Sequence, residues 1–247
     1  DDHLIRSSED AFVDQLFASA PDYGAPLLLA DVPRAYVDLN RAHDELDPAL
    51  IAGLRSAPQN PRIASGLGVI PRVVANGRAI YRGKITAEEA EARLIRNWHP
   101  YHQSLQRLLA ESHASCGEAI LIDCHSMPHE AVDGIARSGL RRPEVVLGDR
   151  FGASAGADVV EAVEAAFRRA GLTVARNTPF AGAYTTQAYG RPSRRQHVLQ
   201  IEIDRSLYMN ELTIRPNAHF ETFRALLDGV IRDIIRIGTK PERLAAE

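Results

Sequence analysis

Two short stretches of the chain carry side chains that can move protons or hold a metal ion. An apolar run ends at Asp123 in the tetrapeptide DCHS, and a later apolar stretch, HVLQIEI, carries Glu202 between two isoleucines. Side chains alternate along a strand, so Asp123 and His125 would share one face while Cys124 points to the other. A carboxylate and an imidazole at a strand end suit a metal site or a proton-transfer pair, and a partly buried Glu202 suits a general base. The plainer alternatives are a core histidine bonded to its neighbouring aspartate, and a Glu202 on a solvated edge strand.

Further polar side chains stand where they could meet this first group. Asp10 and Asp14 are four residues apart in a run predicted as helical, hence on one helical face. Asn40 ends a predicted strand and Arg41 follows it, while Arg150 follows another predicted strand in LGDR. An arginine offers a fork that matches a carboxylate, so these arginines could bind an anionic substrate. The alternative is ordinary solvated charge on a helix face and on surface turns.

The elements that must position these residues alternate between strands and helices. The spacing predicts strands over residues 26–31, 35–40, 119–123, 144–149, 172–176 and 197–203. It predicts helices from residue 8, over 86–109 with a capping box at Thr86 and a kink at Pro100, over 156–170 and over 217–237. Residues 53–84 are predicted as a long loop with a hairpin at Asn76-Gly77. Because strands and helices alternate and no composition shift marks a second domain, we expect a single three-layer α/β/α domain over 1–247 with a mixed, largely parallel sheet.

Composition narrows the classes of function. Lysine and arginine together number 29 and aspartate and glutamate 32, and the resulting net charge of −3 favours neither nucleic acid nor an anionic membrane surface as a partner. No apolar run approaches the roughly 18 residues that a membrane span needs. Two cysteines and the lack of a signal peptide predict reduced thiols in a cytoplasmic protein. The expected partner is a small-molecule substrate, and the oligomeric state stays open.

Seven segments, taken in chain order, carry a further signal. They read EDAFVDQLF, GAPLLLADVPRAYVDLNR, WHPYH, DCHSMP, VVLGDRFG, NTPFAGAY with GRP close behind, and HVLQIEIDRSLYM. Together they span nearly the whole chain and resemble the N-formylglutamate amidohydrolase family, which is distantly similar in fold and metal chemistry to the zinc carboxypeptidases. The resemblance implies one zinc ion and hydrolysis of N-formyl-L-glutamate to formate and glutamate, a step of histidine breakdown in bacteria.

The resemblance also implies roles for individual residues. His125 matches a proposed zinc ligand, Glu202 corresponds to the catalytic carboxylate of the zinc peptidases, and Asp14, with Asp10 as the alternative, is the predicted acidic ligand. Asp123 would orient His125 by accepting its second ring N–H, and Asp10 would support the site from outside the ligand set. The residues expected near the substrate are Asn40, Arg41, Arg150, Arg191 and Arg205. The family pattern also has a Pro-His-Ser-Gly segment before the first aspartate, which supplies another histidine ligand, and the sequence begins after that place.

Two alternatives to this function stay open. The same zinc hydrolase architecture could act on another N-acyl amino acid or a small peptide, because the loop over 53–84 shapes the pocket and its sequence does not reveal which acyl group it admits. The chain could also be a non-catalytic binding protein that retains the fold. Formate release from a panel of N-acyl amino acids tests the first alternative, and metal analysis with an activity assay tests the second.

Overall fold

The computed structural model describes residues 2–54, 60–74, 77–137, 139 and 141–238, and a four-stranded sheet lies at its centre. Its strands are β1 (Ala119–Met127), β2 (Val145–Gly148), β3 (Val174–Arg176) and β4 (Gln196–Asp204), in the order β1-β4-β2-β3. β1 runs parallel to β4 and β2 parallel to β3, whereas β2 and β4 are antiparallel. The mixed, largely parallel sheet predicted from the sequence is therefore confirmed.

Helices and short turns connect these strands. The helices are α1 (Asp2–Arg6), α2 (Val13–Leu16), α3 (Pro61–Ala64), α4 (Ala87–Arg93), α5 (His99–Cys116), α6 (Asp133–Arg137), α7 (Ala157–Arg169), α8 (Tyr184–Tyr189) and α9 (Phe220–Gly238). Short 3₁₀ turns occur at Ala20–Tyr23, His129–Val132, Pro192–Arg194 and Arg205–Leu207. β5 (Met209–Asn210) and β6 (Arg215–Pro216) form a separate two-stranded ribbon. Among the helices described, none has both the length and the apolar character that crossing a membrane requires.

Both faces of the sheet are covered, which gives the three layers expected. On one face, Leu199, Ile201 and Ile203 of β4 join α7 and α9 in the largest hydrophobic cluster. On the other, Val198 packs with Tyr189 at the end of α8 and with residues of α5. This alternation along β4 follows from the period of two in strand side chains. The extent of the predicted single domain over 1–247 stays a prediction.

The long helical stretch begins and ends where its capping residues stand. Thr86 accepts a hydrogen bond from the Glu89 backbone N–H at 3.1 Å, as the capping box predicts. A π-helical segment, Leu94–Trp98, joins α4 to α5, and Pro100 stands in the first turn of α5, where its missing N–H is not needed. The helix continues past the predicted end at residue 109 because the next left-handed residue, Gly117 with φ 68°, comes only after Cys116.

Two predicted strands and one predicted helical start are wrong. Residues 26–31 and 35–40 form no strand; the chain turns at Pro33, whose carbonyl accepts from the Tyr36 N–H, and Asp38 N–H bonds to Val69 O instead of to a strand. The helix predicted from residue 8 begins only at Val13, because Phe12 takes a left-handed φ of 67° that ends any helix before it. Asp10 therefore lies outside the helix that carries Asp14.

The described residues of the predicted loop over 53–84, which are 53–54, 60–74 and 77–84, hold little regular structure. α3 interrupts it, with the Asn60 side chain capping Arg62 N–H at 2.9 Å. An antiparallel bridge between Val73 and Ala79 agrees with the predicted hairpin. Asn76 of the hairpin turn lies outside the described residues.

Candidate active site

The register between β1 and β4 places the two chemically active stretches side by side. His125 pairs with Glu202, and Asp123 pairs with Gln200, along the parallel ladder. Paired residues of neighbouring strands point to the same face of a sheet, so these four side chains lie together. Cys124 packs against the large core cluster on the opposite face, as strand alternation predicts. Polar side chains thus gather towards the carboxyl ends of two parallel strands, where α/β sheets bind ligands.

The imidazole of His125 lies between two carboxylates. Its Nδ1 is 3.0 Å from Asp10 Oδ2, and its Nε2 is 3.1 Å from Asp123 Oδ1. The Asn40 amide nitrogen is 2.8 Å from Nε2 and donates to Asp123 Oδ2 at 3.0 Å. Burial alone would lower the pKa of His125, but the Asp123 and Asp10 carboxylates outweigh it and raise this pKa well above its ordinary value.

Asp10 reaches this ring from a segment 115 residues earlier in the chain. Its Oδ1 accepts from the backbone N–H of Ser126 at 2.8 Å and from the Ser126 hydroxyl at 3.2 Å. Its Oδ2 accepts from Arg34 Nη1 at 3.2 Å. Burial would raise the pKa of Asp10, but Arg34 and His125 outweigh this effect and hold the pKa well below its usual range. The carboxylate is therefore ionised and fixed on both oxygens.

Asn40 joins the imidazole to two further parts of the chain. Its Oδ1 accepts from the backbone N–H of Thr185 at 2.8 Å and from the Thr185 hydroxyl at 2.9 Å. These two bonds fix the amide so that Nδ2 faces Asp123 and His125. The Asn40 backbone N–H donates to Asp38 Oδ1 at 2.9 Å, which holds the residue in its turn.

Glu202 is a carboxylate on the same face, with only 8% of its surface exposed. Its Oε1 accepts from Gln200 Nε2 at 2.7 Å, and Gln200 Oε1 accepts from the Ala183 N–H at 2.8 Å. Burial raises the pKa of Glu202 to about 7, although His125 and Arg34 act in the opposite direction. A carboxyl group that titrates near neutrality can both take up and release a proton, which is what a general base must do.

The segment that leads to Thr185 crosses close over β2 at Gly148. Gly148 pairs with Gln200, and a Cβ at this position would lie 2.7 Å from Gly182 N and 2.8 Å from Ala181 C. Only glycine leaves room for this crossing, which brings the Ala183 N–H within reach of Gln200.

A cavity of about 650 Å³ opens beside His125. One wall is apolar and consists of residues from α5, β1 and the segment 26–32. Glu202 is not among the lining residues; it lies on the neighbouring strand, next to His125. The charged lining residues are Arg6, Glu9, Asp10, Asp14, Asp31, Arg34, Asp38 and Asp123. Acidic side chains outnumber arginines in this lining, so the cavity is electronegative.

Comparisons with known proteins identify the family of this chain. A model of the N-formylglutamate amidohydrolase family matches residues 1–209. The chain belongs to the N-formylglutamate amidohydrolase family. Two curated relatives, both named N-formylglutamate deformylase, are 31% identical: one from Pseudomonas aeruginosa over 92% of this chain and 79% of its own length, and one from Pseudomonas putida over 82% and 71%.

One solved structure supports the same membership, and a second, more distant one shares the fold. The crystal structure of N-formylglutamate amidohydrolase from Ralstonia eutropha superposes with a TM-score of 0.88 at 34% identity, over 97% of this chain and 85% of that one. A protein from Agrobacterium tumefaciens shares the fold at 17% identity, with a TM-score of 0.53 over 94% of this chain and 77% of that one. The resemblance found in the sequence is therefore confirmed.

Within this N-formylglutamate amidohydrolase fold, Asp10 rather than Asp14 is the carboxylate beside Nδ1 of His125. Asp14 stands on α2, is exposed, and lines the cavity without a hydrogen bond or ion pair to any described residue. The assumption that Asp10 and Asp14 stack on one helical turn is wrong, because α2 begins after Asp10. The assignment of Asp14 as a metal ligand stays a prediction, and Asp123 takes the predicted place beside the His125 ring.

The four arginines predicted near the substrate occupy different kinds of position. Arg41 and Arg191 each donate to two backbone carbonyls. Arg205 is buried, and its Nε donates to Ser126 Oγ at 3.1 Å while its terminal nitrogens bond to backbone carbonyls near residue 9. Arg150 is partly buried at a left-handed φ of 52° and donates no side-chain hydrogen bond within the described ranges. The other three arginines each donate to at least one acceptor, whereas the Arg150 guanidinium has no hydrogen-bond partner among the described residues.

The sequence did not single out two residues that the structure brings to the site. Arg34 contacts Asp10 and Asp38. In the sequence it lies between the predicted strands 26–31 and 35–40, where only a connection was expected. Thr185 fixes Asn40 across 145 residues of sequence, and no local pattern signals such a contact. The available signal for Arg34 was its spacing: it lies four residues before Asp38, so the two side chains can pair across one turn.

The side chains beside His125 offer carboxylate oxygen and imidazole nitrogen, which are donor types that bind the zinc ion implied by the family. Protein ligands hold zinc at roughly 2.0–2.2 Å through imidazole nitrogen and carboxylate oxygen, usually in sets of three or four. Asp10 Oδ2 and His125 Nδ1 are 3.0 Å apart, close enough for two ligands of one ion. Within the parts of the chain that the structure describes, no group of three or more His, Cys, Asp or Glu side chains is arranged as a metal site. The described residues fit a pair of zinc ligands, and a complete site needs a further donor.

Proposed function

We propose that this protein hydrolyses the formamide bond of N-formyl-L-glutamate to give formate and L-glutamate. The observation that carries the proposal is the placement of Glu202, a buried carboxyl group, in register with a histidine held between two aspartates. Amide hydrolysis needs a base for the attacking water and an acid for the leaving amine, and one carboxyl group can serve both steps. The two relatives named N-formylglutamate deformylase support the choice of substrate.

Glu202 is the proposed general base. Its Oε1 is engaged by Gln200, so Oε2 is the oxygen available to accept a proton from water and to return it to the leaving nitrogen. Gln200 is itself anchored by the Ala183 N–H, which limits rotation of the carboxylate. The pKa of about 7 means that a substantial fraction of the group is ionised at neutral pH, as a base requires.

Asp10 and His125 are the proposed protein ligands of a zinc ion. Zinc, when bound there with a further donor, would supply a Lewis acid that polarises the formyl carbonyl and lowers the pKa of the attacking water. Asp123 accepts from Nε2–H of the His125 ring and is itself held by the Asn40 amide N–H, and Ser126 holds Asp10 through two hydrogen bonds. This proposal replaces Asp14 by Asp10, because Asp10 contacts the imidazole.

The metal assignment has a matched pair of variants. Asp10→Asn and Asp14→Asn make the same chemical change at neighbouring positions, one in contact with His125 and one exposed. Zinc content of the purified full-length protein, measured by elemental analysis, is expected to fall only in Asp10→Asn. Equal zinc content in both variants would contradict the assignment of Asp10, and a loss in Asp14→Asn alone would restore Asp14.

The activity itself is tested by formate release. The full-length protein, supplied with zinc, is expected to release formate from N-formyl-L-glutamate and to lose this activity on dialysis against a chelator. Absence of both zinc binding and formate release would contradict the function and favour a non-catalytic binding protein of the same fold.

A second candidate is hydrolysis of another N-acyl amino acid or a small peptide. The cavity of about 650 Å³ is within the range that holds drug-sized ligands and so admits more than a formyl group. A panel of N-formyl, N-acetyl and N-succinyl amino acids separates the candidates, because the higher kcat/KM identifies the preferred acyl group. The placement of the reaction in histidine degradation and in the cytoplasm stays a prediction.

A further inference from the structure

We propose that Trp98 is a positioning residue for the reaction, which fixes Asn40 and through it the carboxylate that holds His125. The inference rests on the proposed hydrolysis and adds to it a residue that lies outside the cavity. Because Trp98 is not part of the cavity lining, it acts on the reacting groups only through the chain that it holds.

The segment 36–41 carries two side chains of the site on backbone that belongs to no helix or strand. Asp38 pairs with Arg34 at 3.3 Å, and Asn40 donates to Asp123 Oδ2 at 3.0 Å. Backbone outside helices and sheets must find other partners for its carbonyl groups. The position of Asn40 therefore depends on the donors that bind the carbonyls of this segment.

Three side chains of one helical stretch supply these donors. They are Arg93, with Nη1 3.4 Å from Tyr36 O, His102, with Nε2 2.9 Å from Leu39 O, and Trp98, with Nε1 2.9 Å from Arg41 O. All three side chains are buried. A buried carbonyl that loses its donor costs about 1–3 kcal/mol, so these hydrogen bonds hold the path of the segment.

A π-helical turn brings the three donors to one side of the helical stretch. Residues five positions apart, such as Arg93 and Trp98, would stand about 140° apart around an ordinary α-helix. The turn over 94–98 is closed by the His99 N–H, which bonds to the carbonyl five positions earlier, so it holds one residue more than an α-helical turn. Arg93 and Trp98 can then face the same side, and His102 follows four residues later on that side.

Two of the donors hold the carbonyl groups on either side of Asn40. His102 binds the carbonyl before it and Trp98 the carbonyl after it, and the two rings stack on each other at a centroid distance of 3.9 Å. Without the indole N–H, the Asn40 amide would move away from Asp123, which orients His125. A displacement of about 1 Å can cost about 100-fold in rate, and one donor of the pair remains, so a loss of about 10-fold is expected.

The test is a double-variant cycle of Trp98→Phe and Asn40→Ala. Trp98→Phe removes the N–H donor and keeps an aromatic ring. With N-formylglutamate, this variant is expected to lower kcat about 10-fold and to leave KM within about two-fold, because it displaces a group of the reacting centre and leaves substrate binding intact. In the Asn40→Ala background, the same change should cause no further loss in kcat, because the residue through which Trp98 acts is gone.

A purely structural role for Trp98 predicts a different pattern. Loss of packing would lower kcat by the same factor in both backgrounds, so factors that multiply would overturn the proposal, as would an unchanged kcat in Trp98→Phe. Asn97→Ala is the matched control. It removes a side-chain hydrogen bond of the same length, 2.9 Å, that ends on Arg93 O inside the same helical stretch, and it should leave kcat and KM unchanged.

Substitute variants and a second measurement keep the outcome clear. If Trp98→Phe does not fold, His102→Phe, which removes the other donor beside Asn40, enters the same cycle. If Asn40→Ala does not fold, Asp123→Asn takes its place, because it removes the carboxylate that Asn40 holds. If the wild-type protein releases no formate, the proposed hydrolysis fails, and NMR of the Asn40 side-chain amide decides the inference: faster exchange of its protons with solvent in Trp98→Phe than in wild type supports it, and equal exchange overturns it.

Discussion

Protonation of His102 should make the stability of this fold depend on pH. The side chain is 2% exposed, its Nε2 lies 2.9 Å from the Leu39 carbonyl oxygen, and its Nδ1 lies 2.7 Å from the Tyr189 hydroxyl. A carbonyl only accepts, so Nε2 carries the proton and Nδ1 accepts from the tyrosine. Trp98 covers the ring at a centroid distance of 3.9 Å. The neutral ring is satisfied on both nitrogens, and burial lowers the pKa of His102 to about 4.

The sign and size of the effect follow from this value. The folded-state pKa is below the unfolded value of about 6.5, so the unfolded chain takes up the proton first as the pH falls. The stability that the fold gains from holding His102 neutral is fully present above about pH 6.5. It is lost progressively as the pH falls from there to about 4. Between about pH 7 and about pH 5, this one group should lower the free energy of unfolding by roughly 2 kcal/mol.

Urea unfolding of the wild type and of His102→Gln, at both pH values, measures this contribution. The variant loses packing and should be less stable throughout, but its change in unfolding free energy between the two pH values should be smaller than that of the wild type by roughly 2 kcal/mol. His113→Gln is the matched control, because His113 is exposed on the same helix and should leave the pH dependence unchanged. An identical pH dependence in wild type and His102→Gln would refute the reasoning.

Three further predictions concern the site and its support. Glu202→Gln should lower kcat by about 10²–10⁴-fold with KM changed little, and steady-state kinetics showing near-normal kcat would remove Glu202 as the base. Gly148→Ala should lower the free energy of unfolding by about 1–3 kcal/mol, because the added Cβ would meet the backbone at Gly182. Gly83→Ala is the control: a Cβ there has no neighbour within 4 Å, so the urea midpoint should change little. Asn40→Ala leaves the Thr185 donors and Asp123 without their partner and should cost about 1–3 kcal/mol; an unchanged urea midpoint would contradict this.

The sheet and its covering helices could be predicted from local sequence. Runs such as those over 144–149 and 197–203 are rich in valine and isoleucine, and each became a strand because its residues are buried on the pleated surface. The apolar run over 26–31 looks the same locally but pairs with no strand. Whether a run becomes a strand depends on a partner strand elsewhere in the chain, which local pattern does not report.

The site was predictable where one strand delivers several residues. Asp123 and His125 share a face because strand geometry requires it, and the pairing of His125 with Glu202 places the predicted base beside them. The choice between Asp10 and Asp14 was not predictable in this way, because it depends on the left-handed conformation of Phe12. Contacts such as Asn40 with Thr185 join residues 145 positions apart and are visible only once the chain has folded.

The hydrogen bonds of Arg205 have a consequence for the order in which the protein matures. Arg205 joins Ser126 to the backbone beside Asp10, so the first acidic residue of the site is secured by one that the ribosome adds almost 200 positions later. Nascent chains shorter than this length lack the clamp, however well their earlier helices have formed. Binding competence should therefore appear late in synthesis, after the final strand of the sheet has left the exit tunnel.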